Sequence, residues 1–273
     1  MIMELNSREG FVRIRTFLLI VGAALAISCS DHGTNTKSND PLKWLKDQLS
    51  QTPRNNAEAE WAALWLSDAL VAPESLYVQI RDDLAQLRQM YRDSIHELRE
   101  IEFVPHIYPT TIDLLLTDSA FAAVRAGHYH GWDSLNQLYG LDTIEISDYA
   151  DFSHTVCLSF EKRLNADSLP EYYSLLPGVL ATGSDEFGGD WSNIYPWRVG
   201  NQMTYLVREG SMDCPAGCIE ERFWYFRTND IGIEFVGTFY RDWIHELPDP
   251  PTWWEEAKVS YCKFRHWPLG NCR

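Results

Sequence analysis

The sequence predicts an α+β fold, with helices first and then a mainly antiparallel sheet that contains a β-α-β unit. Three observations carry this expectation. Between Glu74 and Arg99, apolar residues recur at three- and four-residue steps (Leu76, Ile80, Leu84, Leu87, Tyr91, Ile95, Leu98), the stripe of an amphipathic helix. Farther along, Thr204 to Arg208, Glu221 to Arg227 and Ile231 to Tyr240 alternate in polarity, as half-buried antiparallel strands do. Between these regions lie a strand pattern at His154 to Phe160, a helix pattern at Leu169 to Leu176 and a strand pattern at Val179 to Thr182. Their spacing suits one compact β-α-β unit.

The chain opens with Arg8, Arg13 and Arg15 ahead of an uncharged run from Phe17 to Ile27. That run is too short for a bilayer, which needs about 20 apolar residues. A basic leader, a short apolar run and small residues after it read as a secretory signal. Ala24-Leu25-Ala26 fits an ordinary A-x-A cleavage site, and Ala26-Ile27-Ser28-Cys29 resembles the bacterial lipobox, with Ala26 at the usual leucine position. A cysteine directly behind the apolar run and ahead of a polar stretch is what a lipid anchor requires. The favoured expectation is therefore a lipoprotein-type signal over 1–28, palmitate-type acylation of Cys29, and a flexible polar tether over 29–40. Residues 41–273 are expected to form a single globular domain, helical over 41–100 and sheet-rich over 101–273. The protein would be exported and lipid-anchored to the cell envelope, held at the membrane without crossing it.

Within that domain the elements follow in order. Pro41 to Leu49 and Ala57 to Leu70 read as helices, and Pro73 opens the long helix Glu74 to Arg99. Ile101 to Ile107 and Thr111 to Leu116 read as strands. Asp118 is the expected cap of a helix reaching Gly127. Asp133 is the expected cap of a second, Ser134 to Tyr139, closed by Gly140. Thr143 to Ile146 is a further strand, and Pro177-Gly178 stops the helix begun at Leu169.

Charge and aromatic content bound the function. A formal net charge of −16 excludes nucleic acid as a partner bound by general electrostatics. Eleven Trp and thirteen Tyr serve either a core or a binding platform. Trp191, Trp253 and Trp254 are the candidate ligand-binding residues, the last two because they follow Pro250-Pro251 in the tail.

Six cysteines occur, at 29, 157, 214, 218, 262 and 272. In an oxidising compartment disulfides are the default for Cys214, Cys218, Cys262 and Cys272. Closure of 214 on 218 and of 262 on 272, or crossed pairs, all satisfy the sequence. Cys157 reads as a buried thiol. A four-thiolate zinc site fits poorly, because Cys262 and Cys272 are too far apart for a knuckle, and no cofactor is expected.

No metal site is expected, and the weak candidates are His128 and His130, which alternate beside Asp133, and the acidic loop carrying Asp185 and Asp190. No nucleophile elbow, phosphate loop or dinucleotide fingerprint is present.

The run Gly210-Ser211-Met212-Asp213-Cys214-Pro215-Ala216-Gly217-Cys218-Ile219, leading into Phe223-Trp224-Tyr225-Phe226, resembles a family of uncharacterised exported bacterial proteins. Their mark is a D-C-P-[AS]-G-C-I segment before an aromatic strand. Leu175-Leu176-Pro177-Gly178-Val179 and Gly188-Gly189-Asp190 stand upstream as that resemblance expects, and Tyr129 to Asn136 is its early part. The similarity covers roughly the C-terminal 160 residues. It implies fold and compartment, and no activity.

The resulting expectation is a non-enzymatic, lipid-anchored envelope protein with a binding or accessory role, whose ligand is a protein or a carbohydrate met through the aromatic C-terminal half. The competing expectation is a metal-dependent hydrolase using His128, His130 and nearby carboxylates.

Overall fold

Two hydrophobic cores, each built on its own four-stranded sheet, organise the chain. The computed structural model describes residues 54–107, 110–146, 154–184, 191–212, 214, 218–244 and 249–264. Contacts divide the chain into Met1–Lys43 and Trp44–Arg273, and every described residue belongs to the second unit. The expected signal, Cys29, the tether, the helix at 41–49, Asp185, Asp190 and Cys272 lie outside the described residues.

The helical start is α1 (Ala57–Ser67), α2 (Glu74–Tyr91) and a 3-10 turn at His96–Arg99. Asn56 caps α1 by accepting from the Ala59 amide, as a short polar side chain does best. The long helix is shorter than the apolar stripe predicts. It ends at Tyr91, and a turn at Arg92–Ser94 passes to the 3-10 helix. Ile95 and Leu98 still reach the core, so the stripe marks burial more faithfully than helicity. The segment at 101–107, read as a strand, joins neither sheet. Side chains take over its backbone groups instead. Glu58 accepts from the Phe103 amide at 2.9 Å, and Asn193 both accepts from the Val104 amide and donates to its carbonyl.

The first sheet follows: β1 (Thr111–Leu116), α3 (Asp118–Arg125), α4 (Asp133–Tyr139), β2 (Leu141–Ile146), β3 (Thr155–Phe160), α5 (Leu169–Tyr173) and β4 (Val179–Gly183). Its strand order is β2-β3-β1-β4, with antiparallel neighbours throughout. β3 and β4 therefore run parallel with β1 between them, and β1 and β2 run parallel with β3 between them. The predicted β-α-β unit is present in this split form. Ile112, Leu114 and Leu116 of β1 and Val156, Leu158 and Phe160 of β3 point to one face, where Phe121, Tyr139, Leu169 and Tyr173 cover them. Asp113 pairs with Gly183, so this module begins and ends side by side.

The second sheet is an antiparallel meander of β5 (Asn193–Val199), β6 (Gln202–Ser211), β7 (Glu220–Asn229) and β8 (Gly232–Asp242), followed by α6 (Trp254–Phe264). β5 carries Pro196 and lies at the edge, where a missing amide is tolerated. α2 covers one face, with the Tyr91 ring 5.3 Å from Phe226 and Tyr205 donating to Asp83. α6 covers the other, with Trp254 against Phe223 and Phe239 at 4.8 and 5.1 Å. α1 closes the β5 edge, where Trp65 meets Trp197 and Phe264. Glu58 ties α1 to α2 by accepting both Arg88 Nη1 and Nη2 at 2.7 Å. Glu60 joins the two cores through Arg163 at 2.8 Å.

Candidate functional site

The ends of β6, β7 and β8 meet around the turn between Ser211 and Ile219. The Ile219 amide donates to the carbonyls of Ser211 and Met212, and the Trp243 amide donates to the Ile219 carbonyl. Cys214 and Cys218 close the turn as a disulfide, with Cα atoms 4.0 Å apart. Of the pairings the sequence allows, this local staple is the one formed. Cys262 is disulfide-bonded too. Cys157 lies half-buried in β3 rather than deep in a core. Gly210 is required beneath the staple, because a Cβ there would stand 2.3 Å from the Cys218 sulfur.

Under the turn sits a buried charge cluster on the face of the sheet toward α6. Glu221 is 2% exposed, Arg208 0% and Arg241 2%. Arg208 Nε donates to Glu221 Oε1 at 2.7 Å, and Arg241 Nη2 donates to Oε2. Trp243 Nε1 donates to Oε2 at 3.0 Å, and the Tyr261 hydroxyl donates to Oε1 at 3.1 Å. Arg241 also lies 4.9 to 5.0 Å from the rings of Phe223, Trp243 and Trp254, a geometry favourable to cations. Burial pushes the Glu221 carboxyl up, but Arg208 and Arg241, with the Arg208 and Trp243 hydrogen bonds, outweigh it and hold the group below its ordinary value. The carboxylate is thus charged at neutral pH and locked. With every oxygen spoken for, it is a framework rather than an acid or base for chemistry.

This framework carries an apolar surface. Arg208 Nη1 holds the Trp191 carbonyl at 2.9 Å, and Glu221 holds the Trp243 indole nitrogen, yet the two Trp side chains are 53% and 44% exposed. Met212, in the disulfide turn, and Ile244, next in sequence to Trp243, are exposed as well. Met212 has φ 58°, a left-handed conformation that costs an L side chain roughly 1–2 kcal/mol. Backbone strain of this kind gathers at working sites, and here it presents a large apolar side chain to solvent.

The other sequence candidates fare differently. Trp191 belongs to the surface just described. Trp254 is buried against Phe223 and Phe239, and Trp253 stacks on Tyr225 at 5.4 Å, half-buried. The helix α6 that begins at Trp254 draws both into the core, so the tail pair forms no exposed platform. Trp243 is one of six tryptophans (191, 197, 224, 243, 253 and 254) that crowd the second half of the sequence, and nothing in the sequence set it above the others. His128 and His130 are both exposed, and His130 Nδ1 lies 2.9 Å from Asp133 Oδ2. Asp133 is the first residue of α4, and Thr117, not Asp118, caps α3. Among the described residues, no group of three or more His, Cys, Asp or Glu is placed to hold a metal ion. Among the same residues, no helix is long and apolar enough to cross a membrane.

No protein-family model, curated protein or solved structure matches the chain.

Proposed function

We propose that the chain is an exported cell-envelope protein, anchored by a lipid on Cys29, that acts by binding a protein partner through the surface formed by Trp191, Met212, Trp243 and Ile244. The observation that carries this reading is two exposed tryptophans, Trp191 held by its main-chain carbonyl and Trp243 by its ring nitrogen, on a buried Arg-Glu-Arg cluster. Large aromatic side chains held rigidly at the surface are the usual anchors of protein recognition. The aliphatic neighbours Met212 and Ile244 favour a protein over a carbohydrate, which would want polar groups beside the rings. The net charge of −16 favours a partner with a neutral or basic face. The Cys214–Cys218 staple suits an oxidising compartment. The resemblance to exported bacterial proteins implies the same compartment.

Two measurements test the reading. The native intact mass of the protein recovered from bacterial membranes should begin at Cys29 and carry acyl chains. A mass beginning at Ile27 without lipid would remove the anchor, and a retained metal would favour a hydrolase at His128 and His130. A photo-crosslinking residue placed at 212 should then give discrete protein adducts in intact envelopes. These should vanish in the W191A/W243A variant, while a probe at the fully exposed Ile231 gives none. Equal adducts from both probes would sink the binding claim.

A further inference from the structure

A cavity of about 400 Å³ opens where α1, the start of α2, the end of β5 and the end of α6 come together. Leu66, Leu76 and Pro73 form apolar walls, Trp197 supplies an aromatic one, and Arg198 and Lys263 bring two positive charges. Its size lies within the roughly 300–1,000 Å³ that takes a small organic ligand. It is independent of the surface around the disulfide turn. Trp191, two residues before β5, and Trp197, near the end of β5, are about 20 Å apart along an extended chain.

The charges here run against the chain. In a protein of net charge −16, the cavity gathers two cations and no carboxylate among its lining residues. Arg198 is exposed, makes no ion pair among the described residues, and spends one hydrogen bond on Gln79 at 3.2 Å. Its guanidinium fork keeps most of its donors for something else. Lys263 Nζ is positioned over the Trp65 and Trp197 rings at 5.6 and 5.2 Å, and is 3.6 Å from the exposed Asp68 carboxylate. The rings orient the ammonium beside the apolar walls instead of leaving it to wander in solvent.

The geometry points to a binding site for a small carboxylate with a flat apolar body, the ring system lying against Trp197, Leu66 and Leu76 and the carboxylate meeting Arg198 and Lys263. A neutral molecule leaves the Arg198 guanidinium without an anion, and a cation is repelled by both charges.

The probe is 1-naphthoate, titrated calorimetrically into the full-length protein, with 1-naphthylmethylamine and 1-naphthalenemethanol as the cationic and neutral counterparts. Naphthoate should bind one per chain, at least tenfold tighter than either counterpart. R198Q should weaken it several-fold and R198Q/K263M at least tenfold, with melting temperatures near that of the unaltered chain. L76W should abolish binding by filling the cavity while both charges remain, which keeps the test intact even if loss of Lys263 disturbs α6. No binding of naphthoate, equal binding of the amine, or undiminished binding in R198Q and L76W would each overturn the assignment.

Discussion

Removing the Glu221 carboxylate asks the most of this structure. E221A leaves Arg208 and Arg241, both almost wholly buried, facing each other without the acid that separates them. It also orphans the Trp243 indole N–H and the Tyr261 hydroxyl that donate to it. Breaking a buried ion pair from one side costs about 3–5 kcal/mol. For a unit of this size that loss lowers the melting point by roughly 6–20 °C, at about 2–4 °C per kcal/mol. Urea unfolding followed by far-UV circular dichroism reads the loss directly. The triple variant R208M/E221L/R241M is the informative partner. It replaces the whole cluster by apolar side chains of similar length, an exchange that is often neutral or stabilising. It should therefore be more stable than E221A despite losing every charge, the remaining deficit being the Trp243 and Tyr261 donors left without their acceptor. The acid limb gives a second readout. The folded-state carboxyl sits below its ordinary value, so its contribution is complete above the unfolded Glu value of about 4.3 and is lost as pH falls through the lower folded value. E221Q should flatten that part of the stability-pH curve. A loss under about 1 kcal/mol for E221A would mean that water reaches the two guanidiniums, and the argument for a locked framework would fail.

Further expectations follow from single features. C214S/C218S should lose about 2 kcal/mol, the chain-entropy value for so short a loop, read as a lower urea midpoint with the far-UV spectrum kept. Met212→Asn should gain up to about 1 kcal/mol by relieving the left-handed residue, yet weaken partner capture; a loss of stability would show that the Met side chain is packed rather than presented. Gly178→Ala should cost about 2–3 kcal/mol, since φ is +82° and the new methyl would stand 2.6 Å from Ala120 Cβ. Burial raises the Asp83 carboxyl above its ordinary value, which the Tyr205 hydrogen bond only partly offsets. The charged form therefore opposes folding at neutral pH. D83N should match or exceed the parent at pH 7, with the advantage shrinking as pH falls toward the ordinary Asp range of about 3.9.

Much of the fold was legible because its elements obey simple periodicities. β1 falls at the predicted residues, and β3, β4, β7 and β8 agree within a few. The failures have physical causes. The stripe through Ile95 and Leu98 continues past Tyr91 because both residues are buried, though the backbone leaves the helix there. Residues 101–107 have strand-like side chains, but Glu58 and Asn193, distant in sequence, take the backbone groups. β5 was missed because Pro196 argues against a strand unless the strand is known to be an edge. α6 was missed because Pro250-Pro251 and paired Trp residues look like a tail. Of the site, the disulfide turn and Trp191 were visible as a motif and an aromatic. The Arg208-Glu221-Arg241 cluster was not, since three charges spread over three strands acquire meaning only once the register aligns Glu221 with Arg241.

The adjacency of β1 and β4 bears on how the chain finds its fold. The module from Thr111 to Gly183 interrupts the helical start and the meander that share the larger core, so those two parts must close a long loop to meet. If the module assembles first, Asp113 and Gly183 are already neighbours. The loop between Ile107 and Trp191 then shrinks from about 84 residues to about 14, and its closure cost falls by about 1.5 kcal/mol. The smaller sheet thus works as a clasp, formed wholly within residues 111–183, that brings distant halves of the larger core within reach.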